Sequence, residues 1–243
     1  MKYHPLNLGI ARVTGGAQKK SSKNKKPKAQ IQSQAAPVLD AEVRQKIYER
    51  DQYTCQCCGF KADKYQEIHF INHDLSDFHT ENLITVCIFC HQCFRLEETS
   101  KMRSGVLVWL PEISQADLHH IARAIYVARI SQGTMAESAR QALDVIMTRR
   151  ATVQERLSTD DPFILSMVME DFLTAQQYAL REKKLEGVRL FPLDRRIVKE
   201  GELEFNQFPQ ILAYWRSKDG PFGGKIPSQW KDLYAQVLSK KVA

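Results

Sequence analysis

Two Cys-x-x-Cys pairs constrain this chain more than any other feature: Cys55/Cys58 in YTCQCCG and Cys87/Cys90 in TVCIFCH. All six cysteines fall within residues 55–93 of a 243-residue sequence. Pairs at this separation can bring four thiolates to one tetrahedral ion, the arrangement of a structural zinc site. One zinc ion held by Cys55, Cys58, Cys87 and Cys90 is therefore expected. Cys57 and Cys93 stand outside the two frames. Because four ligands close a tetrahedron, both read as small buried residues, and either is the substitute should one of the four not be a ligand.

The length suits one large domain or two small ones. No run approaches the ~18–20 apolar residues of a membrane span, and the N-terminus carries no secretory apolar core. A cytoplasmic protein is expected, where clustered cysteines favour metal over disulfides. The net charge of +7 is not spread evenly. Residues 1–39 hold eight basic side chains and no acidic one, so the other 204 residues sum to one net negative charge. That balance argues against a cationic groove in the folded body, so nucleic acid is not the expected partner.

Residues 1–38 mix Lys, Gln, Ser, Gly and Ala without periodicity and are expected to form a disordered basic tail. Order begins near Leu39, with Asp40 as N-cap of a helix carrying Val43, Ile47 and Tyr48. Residues 39–112 are assigned to a zinc-binding domain with short strands at YQEIHFI and GVLVWL. Residues 113–198 form a helical domain packed on it. Ser114 and Asp117 make a near capping box there, Gly133 is a breaker, and Asp161-Pro162 starts a helix that Gly187 ends. VRLFPLDRR reads as a link. Residues 199–243 are a C-terminal extension with helices at about 206–217 and 228–240. The Met, Phe and Trp residues of all these helices read as packing. The fold class is α+β, mainly helical: a small treble-clef zinc knuckle followed by a helical body.

From Arg50 to His91 the sequence runs RDQYTCQCCGF, EIHFINHD, ENLITVCIFCH. This resembles the HNH endonuclease layout, in which a strand His activates water, an Asn orients it, and a final His helps to hold a catalytic metal. Asn82 and His91 fall on the last two positions. Side chains alternate along a strand, so aligning Ile68 with the apolar residue before the active pair puts His69 on the metal side. Phe70 then occupies the position of the base, and phenylalanine cannot accept a proton. A one-residue slip would make His69 the base, and His73 is a second substitute. A metal-dependent nuclease using His69, Asn82 and His91 is thus the alternative to a non-catalytic scaffold, and a DNA-binding zinc protein with an adhesive tail is another. No P-loop, dinucleotide turn or nucleophile elbow is present.

A narrower resemblance extends from about Arg50 to Leu193. RDQYTCQCCGF with YQEI, ENLITVCIFCHQCF, WLPEISQADLHHI and VRLFPLDRR together resemble the IcmJ/DotN family of Dot/Icm (type IVB) secretion systems. The resemblance implies a non-catalytic adaptor at the cytoplasmic face of the inner membrane. Its implied partners are a coupling ATPase of DotL type, DotM and the IcmS/IcmW chaperones, with effector recruitment as the task. Membrane association would be peripheral, through that complex. The chain departs from the family in keeping His91 and in its tail and C-terminal extension.

Overall fold

Asp40 caps the first helix as its residue type suggests, its carboxylate accepting the Glu42 amide at 2.8 Å. The helix, α1, spans Ala41–Arg50. The structure, a computed structural model, describes residues 3–11 and 39–241. After a Cys-containing turn, β1 (Gln66–Phe70) pairs antiparallel with β2 (Leu83–Cys87), and α2 (Ile88–Phe94) follows directly. Ile68 and Phe70 face α1, where they join Leu39, Ile47 and Leu83 in an apolar cluster. His69 points to the opposite face, as strand alternation requires.

Two short elements, α3 (Leu96–Lys101) and β3 (Gly105–Trp109), lead into the helical body. Ser114 caps α4 (Gln115–Arg129) by accepting the Asp117 amide at 3.1 Å. Gly133, at φ +83°, turns the chain into α5 (Thr134–Leu157). Asp161 then caps α6 (Pro162–Met167).

Four expectations are corrected beyond this point. The helix launched by Asp161-Pro162 does not run on to Gly187. It loosens into a π turn over Val168–Phe172 and stops. Thr174 then opens a new helix through a reciprocal capping box with Gln177, giving α7 (Ala175–Ala179) and α8 (Arg181–Lys184). VRLFPLDRR is not merely a link, because Val188–Pro192 forms β4, antiparallel to β3 with Leu190 opposite Leu107. A hairpin, β5 (Ile197–Glu200) and β6 (Leu203–Asn206), precedes α9 (Phe208–Arg216). The last helix, α10, covers Trp230–Lys241. Not every large apolar side chain on these helices packs: Phe172 is 74% exposed.

The fourth correction concerns the tail. Tyr3–Ala11 is not loose but lies as a strap across the body. The His4 amide donates to the Gln56 carbonyl at 2.7 Å and the Gly9 amide to the Cys93 carbonyl at 2.8 Å. Leu8 and Ile10 are buried beside Cys93, Leu96, Tyr178 and Leu190. The Arg181 guanidinium donates to the Leu8 carbonyl at 3.0 Å, and the Ile10 amide to the Tyr178 hydroxyl at 3.1 Å. The remaining expectation of disorder, for residues 12–38, lies outside the described residues.

The largest apolar cluster joins five of the cysteines, Cys93 excepted, and Ile88, Phe89 and Phe94 of α2 to Val108, Leu118, Tyr126, Ile211 and Trp215, so it runs from the Cys turn through β3 and α4 to α9. The fold is α+β and mainly helical. Among the described residues, no helix is long and apolar enough to cross a membrane.

Candidate metal centre

The end of α1 builds the first half of the site. Asp51 turns back to accept the Thr85 amide at 2.7 Å, and Arg50 donates to the Leu83 and Thr80 carbonyls. These bonds clamp the helix terminus to β2, which brings the Cys55–Cys58 turn over Cys87. The turn itself is tied down by the Cys55 amide on the Phe60 carbonyl (2.9 Å) and the Gln56 amide on the Thr85 carbonyl (2.8 Å). Gly59 closes it at φ +75°, a left-handed conformation, with the Tyr3 hydroxyl 2.5 Å from where a Cβ would stand.

The second half is the junction of β2 and α2. Cys87 ends the strand and caps the helix, and its sulfur accepts the Cys90 amide at 3.5 Å. This puts Cys90 on the first helical turn, facing the Cys55–Cys58 turn. All four sulfurs lie within 4.8 Å of one another, and all four residues are buried. Cys58 and Cys87 are 3.7 Å apart at sulfur, near the ~3.8 Å edge of a tetrahedron with metal–sulfur bonds of about 2.3 Å. The four cysteines are close enough to bind one metal ion. Among the described residues they are the one such group of three or more ligand-type side chains.

Arg123, on α4, provides a test of fit that does not depend on sulfur spacing. Its guanidinium is buried, lies 3.9 Å from the Phe60 ring centre and 4.9 Å from that of Phe89, and donates from Nη2 to the Cys87 sulfur at 2.7 Å. Its Nε and Nη1 have no hydrogen-bond partner. A buried cation with so few partners is tolerable only beside negative charge. Burial works against the Arg123 charge, but the sulfurs of Cys87, Cys58, Cys90 and Cys55 outweigh it and raise its pKa. The donor set therefore fits a metal-bound tetrathiolate. Sequence reasoning missed Arg123, because an arginine on an amphipathic helix ordinarily reads as solvent-facing.

Cys57 and Cys93 are also buried but lie outside the four-sulfur group. A hydrogen bond with Cys55 is the main influence raising the Cys57 thiol pKa, and burial raises that of Cys93.

The residues singled out for nuclease chemistry are arranged differently. His69 stacks on Phe94 at 3.9 Å between ring centres, and its Nε2 has no hydrogen-bond partner. Burial pushes its pKa down to about 2 and that of His91 down to about 4. His69, His73 and His91 line a cavity of about 20 Å³ together with Ala11 of the strap, room for little more than a water molecule. His4, also on the strap, has its ring centre 6.2 Å from that of His69. Asn82 is not among the lining residues. Its amide is committed to the 72–82 loop, accepting from the Asn72 amide and donating to the Asp77 carbonyl, both at 2.9 Å. Phe70 also borders this cavity but belongs to the apolar cluster beneath α1, with Phe78 edge-on to its ring.

No family model matches the chain. A curated relative, the type 4 apparatus protein DotN of Legionella pneumophila subsp. pneumophila strain Philadelphia 1, is 34% identical over 162 residues. The matched region covers 65% of this chain and 75% of the relative.

Proposed function

This chain belongs to the DotN (IcmJ) family of Dot/Icm type IV secretion proteins, and from that premise we propose that it is a non-catalytic, zinc-stabilised adaptor of the secretion coupling complex. It binds the coupling ATPase of DotL type, in the neighbourhood of DotM and IcmS/IcmW-type chaperones, and takes part in effector recruitment. It works in the cytoplasm and reaches the inner membrane through those partners. Its Cys55–Cys90 region is an HNH-like treble-clef knuckle kept as scaffold, within a zinc domain over 39–112, a helical domain over 113–198 and a C-terminal extension over 199–243.

The observation that carries the reading is the saturation of the cysteine site. Four buried protein sulfurs leave no position for water or substrate, and a closed tetrahedron is the mark of a structural ion, whereas catalytic zinc keeps an open place. The all-thiolate tetrahedral donor set supports zinc as the ion. The face where an HNH enzyme would act supports the same reading. It lacks a base at Phe70, and the strap covers it.

Two measurements test this. The purified chain should contain one zinc, and a pull-down from the native cell should recover the P-loop coupling ATPase. Isolation free of that ATPase from cells in which the complex is assembled would sink the adaptor role. Divalent-dependent plasmid nicking that vanishes in both His69→Ala and His91→Ala would replace the reading with the nuclease.

A further inference from the structure

Three buried polar residues of α4 lie at positions 115, 119 and 123, a spacing that stacks them on one helix face. We propose that this face is the outer layer of the metal centre. Arg123 and His119 donate N–H bonds to the sulfurs of Cys87 and Cys90, and Gln115 dictates which His119 nitrogen carries the proton. The proposal rests on the metal reading of the four cysteines and extends it to residues that no ligand spacing would reveal.

The orientation of Gln115 comes first. Its Oε1 accepts the Leu190 amide at 2.9 Å, and its Nε2 donates to the Leu190 carbonyl at 2.8 Å. Exchanging the two ends of the amide would set donor against donor and acceptor against acceptor, so the strand backbone fixes the group. The second Nε2 hydrogen then points to His119 Nε2, 2.8 Å away. That nitrogen must accept. The single proton of a neutral imidazole is left on Nδ1, which lies 3.3 Å from the Cys90 sulfur. Cys93 approaches the same Nε2 at 3.8 Å, and its sulfur is 3.7 Å from the Phe89 carbonyl, so it does not claim the Nδ1 proton.

Arg123 completes the layer. Its Nη2 is 2.7 Å from the Cys87 sulfur and 4.0 Å from that of Cys58. A divalent ion with four thiolates carries two net negative charges, and a fixed guanidinium in contact with them halves that charge inside an apolar core. The His120 ring, one position on from His119, is hydrogen-bonded to the Cys58 carbonyl at 2.8 Å. The WLPEISQADLHHI segment thus supplies Gln115, His119 and His120. Such outer donors hold ligands in position and draw electron density from them, and losing one typically costs about 10–100-fold in metal affinity.

The test uses the full chain loaded with cobalt(II), comparing wild type with Arg123→Met, His119→Phe and Gln115→Leu. Tyr126→Phe is the control, since Tyr126 is buried on α4 but bonds to the Pro192 carbonyl instead of a sulfur. Wild type and control should share one sulfur-to-cobalt charge-transfer band. That band should move to lower energy in Arg123→Met and His119→Phe, with chelator competition showing about 10–100-fold weaker metal binding. An unmoved band with unchanged affinity in both variants overturns the proposal, as does an equal shift in the control. For any variant that does not fold, wild-type protein loaded with an NMR-active cadmium isotope decides. Coupling from cadmium to the Nδ1 proton of His119 supports the proposal, and a proton on Nε2 refutes it. Wild type that takes up neither metal would instead bring down the metal reading itself.

Discussion

Phe70, which the HNH reading would set in the place of a base, packs in the apolar core of the structure. It belongs to the Leu39–Ile47–Ile68–Leu83 cluster that seats α1 on the hairpin. Phe70→Ala should cost about 3–5 kcal/mol in denaturant unfolding. Phe70→His should destabilise the fold without producing metal-dependent DNA cleavage, because the new ring would face the α1 cluster. His69 supplies a second prediction. Burial holds its pKa near 2, against 6.5 for an exposed imidazole. The unfolded chain therefore binds a proton below pH 6.5 that the folded chain refuses, and stability falls as the pH drops. The slope from this one group approaches about 1.4 kcal/mol per pH unit. His69→Phe, which keeps the ring stacked on Phe94, should reduce the loss of stability between about pH 7 and 5, read from denaturant midpoints of the two proteins. At this scale the gathering of Cys55, Cys58, Cys87 and Cys90 was legible, since cysteine pairs at a fixed spacing have few other uses. Arg123 and His119 were not, because their partners come from residues 36 and 29 positions away.

Among the elements, local signals and long-range ones separate cleanly. Asp40, Ser114, Asp161 and Gly133 all act where their residue chemistry places them, because a cap or a left-handed turn is decided within a few residues. β4 was illegible for the opposite reason. VRLFP becomes a strand only because β3, some eighty residues earlier, offers its edge. The strap did carry a signal in the alternation of Leu6, Leu8 and Ile10, too short to stand out beside a long polar stretch. Gly187 makes a test at this scale. It enters β4 at φ +85°, and an added Cβ would meet the Trp109 ring at 2.7 Å. Gly187→Ala should lower stability by about 1–3 kcal/mol, measured by urea unfolding, through strain at the β3–β4 pair.

For the molecule as a whole, Cys55, Cys58, Cys87 and Cys90 share an apolar cluster with Leu118, Tyr126, Ile211 and Trp215. The four-cysteine cluster is therefore continuous with the helical core. Under the zinc reading, a strong chelator at neutral pH should abolish helical circular dichroism in one cooperative transition, and restoring zinc should recover it. Survival of the α4, α5 and α9 signal without metal would show instead that the knuckle melts alone. The strap adds a constraint of timing. Its docking partners Tyr178 and Arg181 are synthesised about 170 residues after Leu8 and Ile10. At roughly 5–20 residues per second, the first-made segment waits on the order of ten to thirty seconds for its seat. The four cysteines and the His69 strand are synthesised within that same interval, so the strap can close only over a face that has already been made.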